Sequence, residues 1–132
     1  MILADSPFGI IERRPEFDRD LKALKKKYRS LDDDLGTLAK SGLHPFHHLG
    51  VDAGHIERMA GVQISEEIVV FKVVRMACRA LKGTGSKSGM RVIYGYEAAR
   101  DRVVLVEIYF KGDKENEDRD RVRAFLKEEI SA

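Results

Sequence analysis

Between Ile68 and Phe110 lie three apolar segments, 68-IVVFKVVRMA-77, 91-RVIYGYE-97 and 102-RVVLVEIYF-110, and the way they are joined limits the fold most. In the second, Val92, Tyr94 and Tyr96 alternate with Ile93 and Gly95, the period of a half-buried strand. Only the turn Ala98 to Asp101 separates it from the third. Links this short cannot carry the crossover that parallel neighbours need, so the three strands predict an antiparallel meander. On the first strand, alternation puts Lys72 on the face of Val70 and Val74 and turns Arg75 to the other.

The flanking sequence supplies helices. Phe8 to Glu12 reads as a short strand. Arg14-Pro15-Glu16 then opens a helix with proline in its first turn and acidic side chains near its positive end. Leu21, Leu24 and Tyr28 form its apolar stripe. A shorter helix from Leu31 to Ala39 has Asp32 to Asp34 in its first turn and ends at Ser41-Gly42. Residues 43–66, with the run HPFHH and three glycines, read as a loop-like insert. A charged helix from Asn116 to Glu129 closes the chain, with Val122, Phe125, Leu126 and Ile130 as its core face. The order β, α, α, β, β, β, α describes an α+β domain spanning 1–132, an antiparallel sheet with a helical hairpin and a C-terminal helix against one face.

At 43% hydrophobic and 35% charged residues, the chain belongs with globular rather than disordered proteins. No apolar run approaches the roughly 18 residues of a membrane span. The start MILADSPFGI lacks the pattern of a secretory signal, and the expected location is cytoplasmic. The single cysteine, Cys78, cannot form an internal disulfide and reads as a small core residue. The net charge of +2 hides a strong asymmetry. From Ile68 to Tyr96 the charged residues are Lys72, Arg75, Arg79, Lys82, Lys87 and Arg91, six cations without one Asp or Glu. The remaining 18 Lys and Arg face all 22 Asp and Glu, a net −4. Such polarisation points to an anionic partner at one face, most often nucleic acid.

Within that block, 79-RALKGTGSKSG-89 combines glycines, which let backbone approach phosphate, with cations that neutralise it. It is not a Walker loop, because GSKSG scrambles the required ending and no helix follows. Arg91, a charge at the root of a core strand beside this loop, calls for an anion. His44, His47, His48 and His55, with Asp52 and Glu57 nearby, have zinc-binding composition, but their spacing matches no standard site and no metal is assigned. The acidic run Asp113 to Asp120 reads as a solvated surface that also matches a helix N-terminus.

FKVVRMACRALKGTGSKSGMRVIYGY together with VEIYFKGDKENEDRDRVRAFL resembles the RelE/ParE superfamily of bacterial toxins, specifically its RelE-like ribonuclease branch. The resemblance runs from about Phe8 to the C-terminus, and GMRVIY and IYFKGDKENEDR are its most specific parts. It implies a microbial-ribonuclease-like fold and a metal-independent, cofactor-free endoribonuclease. Such an mRNA interferase cuts messenger RNA, typically in the ribosome, and is silenced by a cognate antitoxin in a hetero-oligomer, away from membranes. By the same resemblance, Arg91 matches the arginine of the G-x-R-x-x-Y strand that reaches the scissile phosphate. Lys72 would be base or charge stabiliser, and Lys111 and Lys114 would protonate the leaving oxygen or bind phosphate. Arg75, Arg79, Lys82 and Lys87 would hold the RNA, and Tyr94 and Tyr109 would stack on a base or fill the core. Val74 stands where some relatives carry a second basic residue, and no histidine ends the last strand. Two other readings share the fold: a protein that poisons a target such as DNA gyrase, and a catalytically silent module binding RNA or an antitoxin.

Overall fold

The computed structural model describes residues 6–62, 66–81 and 88–131. In chain order its elements are β1 (Ile10–Arg13), α1 (Pro15–Lys25), α2 (Leu31–Leu38), a π-helical turn (Ala39–Leu43), α3 (His44–Leu49), β2 (Ile56–Arg58), β3 (Val69–Val73), β4 (Met90–Glu97), β5 (Arg102–Phe110) and α4 (Arg119–Ser131). The fold class is α+β, as expected. The strands lie in the order β1-β5-β4-β3-β2, with β3, β4 and β5 forming the antiparallel meander. The sheet is mixed, because β1 adds to β5 in parallel with Ile10 opposite Arg102. All the helices of the first half lie between β1 and the meander, so no tight turn imposes an antiparallel pairing there.

Helices cover both faces rather than one, because β5 is apolar on both sides. Val73, Met90, Val92, Tyr94, Val103, Leu105 and Ile108 pack on a first face with Phe17 and Leu21 of α1 and Leu31 and Leu35 of α2. Val70, Ile93, Val104, Val106 and Tyr109 pack on the second with Val122, Phe125 and Leu126 of α4. Gly95 allows this second layer to close: a Cβ there would stand 2.9 Å from the Phe125 ring.

β5 contains one irregularity. Its register with β4 passes from Ile93 opposite Glu107 to Tyr94 opposite Leu105, so Val106 has no partner across the ladder. One extra residue inverts the strand's phase. Val103 and Leu105 face the first core, as Ile108 does, whereas Glu107 and Tyr109 turn to the second face.

The insert differs from the expected loop. Ala39–Leu43 runs directly into α3, which has Pro45 in its first turn and ends at Gly50 with φ of 68°. At that first turn proline costs no hydrogen bond, and it starts the helix rather than breaking it. Short β2 then pairs with β3. The last helix begins at Arg119 instead of Asn116, because Asp118 Oδ1 accepts the Arg121 N–H at 3.1 Å and serves as its N-cap. β3 ends at Val73, short of Ala77, and Cys78 is buried. No helix among the described residues is long and apolar enough to cross a membrane.

Candidate functional site

At one end of the second face, the strands bring charged groups together. β3 presents Lys72 opposite Ile93, and Ile93 lies opposite Glu107. Arg91 lies two residues along β4 on the same face, opposite Tyr109. Lys72 and Arg91 are therefore diagonal neighbours across the β3/β4 ladder.

Beyond β5 the chain folds back over these residues. The Lys111 N–H donates to the Gly89 carbonyl at 2.9 Å, and the Asp113 and Lys114 N–H groups turn back to the Phe110 carbonyl. Lys114 lies over the Tyr109 ring, 5.5 Å from its centroid, and its ammonium pairs with the Glu107 carboxylate. The other Glu107 oxygen accepts the Asp118 N–H at 2.8 Å. Between those two attachments, Glu117 accepts a hydrogen bond from Lys72 Nζ at 3.0 Å. Glu107 is 1% exposed, and the Glu117 side chain 8%.

The charges are unevenly matched. Burial works to lower the Lys72 pKa, but the Glu117 carboxylate and the nearby Tyr109 hydroxyl outweigh it, and the net shift is upward. Lys72 therefore stays an ammonium at neutral pH, which argues against the base role and for charge stabilisation. Burial would raise Glu117, yet a backbone hydrogen bond and Lys72 hold its pKa below the usual carboxylate range. Burial raises Tyr109 despite the neighbouring ammonium. Its hydroxyl, in a residue 5% exposed, lies against Lys72 without a well-formed hydrogen bond. Half-buried Arg91 makes one weak bond, 3.3 Å to the Met90 carbonyl, and has no carboxylate partner among the described residues. Lys111 is exposed. This corner thus combines a guanidinium with no carboxylate partner among the described residues, an ammonium paired with Glu117 and a hydroxyl without a well-formed hydrogen bond, groups that suit an oxyanion.

The remaining candidates go elsewhere. Arg75 lies past the end of β3 and lines a small cavity with Phe46, His55 and Val73, on the first-face side. Arg79 clasps α2, pairing with Asp33 at 2.8 Å and approaching Asp34 at 3.7 Å. Lys82 and Lys87 lie outside the described residues. Tyr94 is fully buried in the first core and cannot stack on a base, and Tyr109 offers its hydroxyl rather than an open ring. The acidic run is not uniformly solvated either, since Glu117 is enclosed and Asp118 is a cap. Glu107 was the findable member: it is the one acid inside an apolar strand.

The histidines build a different network. His47 Nε2 is 2.7 Å from the Tyr94 hydroxyl, and its ring stacks on Tyr96 at 4.0 Å. Asp101 Oδ1 lies 2.6 Å from His48 Nε2 and accepts from the Tyr96 hydroxyl at 2.8 Å. His44 and His48 face each other through Nδ1 at 2.6 Å. Burial, with the neighbouring His48, pushes His47 down to about 4; burial and the Asp101 carboxylate push Tyr96 up to about 12. These groups lock α3 onto the sheet. Among the described residues, no three metal-binding side chains converge.

No protein-family model matches the sequence, and no curated protein matches it significantly. Among solved structures, the chain is similar to one in the archaeal RelE–RelB complex from Pyrococcus horikoshii OT3. The identity is 12%, over 78% of this chain and 94% of that one, with a TM-score of 0.46. It is also similar to the conserved hypothetical protein HP0892 from Helicobacter pylori, at 18% identity over 79% and 96% of the two chains and a TM-score of 0.41.

Proposed function

We propose that this protein is a RelE-like toxin, a metal-independent endoribonuclease that cuts messenger RNA at the ribosome until an antitoxin covers it. The observation that carries the reading is Arg91, without a carboxylate partner among the described residues, diagonal to Lys72 and opposite Tyr109, whose hydroxyl lacks a well-formed hydrogen bond. In metal-free RNA cleavage the 2′-hydroxyl gives its proton to water as it attacks the adjacent phosphorus, the bond to the 5′-oxygen breaks, and negative charge gathers on the equatorial oxygens in between. Arg91 would clamp two of those oxygens through its fork, and Lys72 would share their charge. Lys111, the exposed ammonium at the end of β5, would protonate the departing 5′-oxygen, while Lys114 is already engaged by Glu107.

Of the six cations from Lys72 to Arg91, Lys72 and Arg91 lie at this corner and would give an antitoxin its electrostatic target. An acidic segment that folds on binding would cover it, giving a toxin–antitoxin hetero-oligomer. Induced expression without such a partner tests the reading directly. Growth arrest with shortened transcripts is expected; unchanged growth and intact transcripts at confirmed soluble expression would overturn it.

A further inference from the structure

Glu117 neither caps a helix nor takes part in the Glu107 anchor. Its neighbour Asp118 already caps α4, and residues 113–116 on the same strap are exposed. A carboxylate is costly to bury unless it is paired, yet this one is enclosed and turned onto Lys72. The strap is fastened on both sides of it to a single buried acid, through Lys114 and the Asp118 N–H on Glu107. Turning Glu117 away therefore breaks neither of the two attachments that hold the strap to Glu107.

We propose that Glu117 is a built-in competitor for phosphate, its carboxylate occupying the place on Lys72 that an RNA phosphodiester takes, so that the site rests closed and opens by exchange of one anion for another. This rests on reading the corner as an RNA site. The geometry gives the exchange a direction. The carboxylate spends one oxygen on Lys72 and leaves the other 3.6 Å from Arg119, while Tyr109 has no well-formed hydrogen bond and Arg91 no anion among the described residues. A tetrahedral phosphodiester has oxygens for Lys72, Tyr109 and Arg91 together. The released Glu117 keeps Arg119 as a partner. A lone carboxylate would repeat what Glu117 already does, so at Lys72 the exchange favours a phosphodiester over a free carboxylate.

The test uses a single-stranded deoxyoligonucleotide, which lacks the attacking 2′-hydroxyl and reports binding without cleavage. Glu117→Gln should bind it about tenfold more tightly at low salt and with a steeper salt dependence, by roughly one phosphate contact. Placed on a Lys72→Met background, the same change should gain nothing, and Glu115→Gln, on the exposed part of the strap, should gain little in the unaltered chain. No gain from Glu117→Gln, or an equal gain without Lys72, overturns the gate. NMR of the unaltered protein covers the case in which the variant misfolds. Oligonucleotide should move the Lys72 Nζ and Glu117 carboxyl signals together, and a Glu117 signal that stays fixed at saturation also overturns the proposal. Cleavage of the matching ribo-oligonucleotide separates the two readings. If the ribonuclease reading alone fails, no variant cuts RNA while the binding gain through Lys72 persists.

Discussion

Arg91→Ala separates catalysis from folding unusually well, because of what Arg91 lacks. Its side chain makes one 3.3 Å bond to its own neighbour's carbonyl and no ion pair among the described residues, and it sits diagonal to another cation, Lys72. Truncation therefore leaves no carboxylate stranded, and the loss of stability should not exceed about 1 kcal/mol. In a chain of 132 residues that is a fall in melting temperature of a few degrees. The chemical step should suffer far more. Removing one preorganised donor to a charge that grows in the transition state costs roughly 3 to 4 kcal/mol, about a hundred- to a thousandfold in rate. Single-turnover cleavage of ribosome-bound message, measured beside thermal melts, reads both quantities, and binding of an uncleavable oligonucleotide should fall much less than the rate. Arg91→Lys should recover little, since an ammonium keeps the charge but not the fork. A folded Arg91→Ala protein that cleaves at the full rate would refute the reasoning. So would a variant that loses activity only in proportion to its loss of fold.

Two further expectations concern the layers that hold the site. Gly95→Ala sets a methyl group 2.9 Å from the ring of Phe125, which is fully enclosed and cannot retreat; the melt should report about 1 to 3 kcal/mol of destabilisation, and an unchanged melting temperature would show that α4 does not pack as described. His47, held down to about 4 by burial among aromatic rings, binds its proton more weakly folded than unfolded, so its contribution to stability is full above pH 6.5 and is lost as the pH falls from there toward 4. Melts across that range should show the decline, and His47→Gln, which keeps an acceptor for Tyr94 but cannot titrate, should flatten it.

Much of the scaffold was legible because its signals are local. The bounds 102–110 of β5 and the turn at 98–101 follow from a long apolar run and a short link, and Lys72 shares the face of Val70 on β3 as alternation requires. α3 was illegible because its anchoring side chains are His47 and Phe46, which carry no aliphatic period, and because Pro45 resembles a breaker until the preceding helical turn is known to lead into it. The parallel place of β1 beside β5 was hidden for another reason. A short strand records which of its faces is buried, but nothing about which neighbour buries it.

The site itself divides along the same line. Strict alternation along β5 would put Val103, Leu105, Glu107 and Tyr109 on one face. Glu107 would then be driven into the apolar first core with no cation to meet, and the Tyr109 hydroxyl would point away from Lys72. The unpaired residue Val106 prevents this by shifting the phase of everything after it. A run that is apolar on both sides leaves no trace of such a shift, since period two shows only where polar and apolar residues alternate. β3 and β4 keep their phase, so simple alternation already sets Lys72 and Arg91 on one face. Glu107 and Glu117 depend on the bulge and on the strap that Glu107 anchors. On the reading proposed above, the two cations would meet the phosphate, and the two acids would set how the corner is held and when it opens.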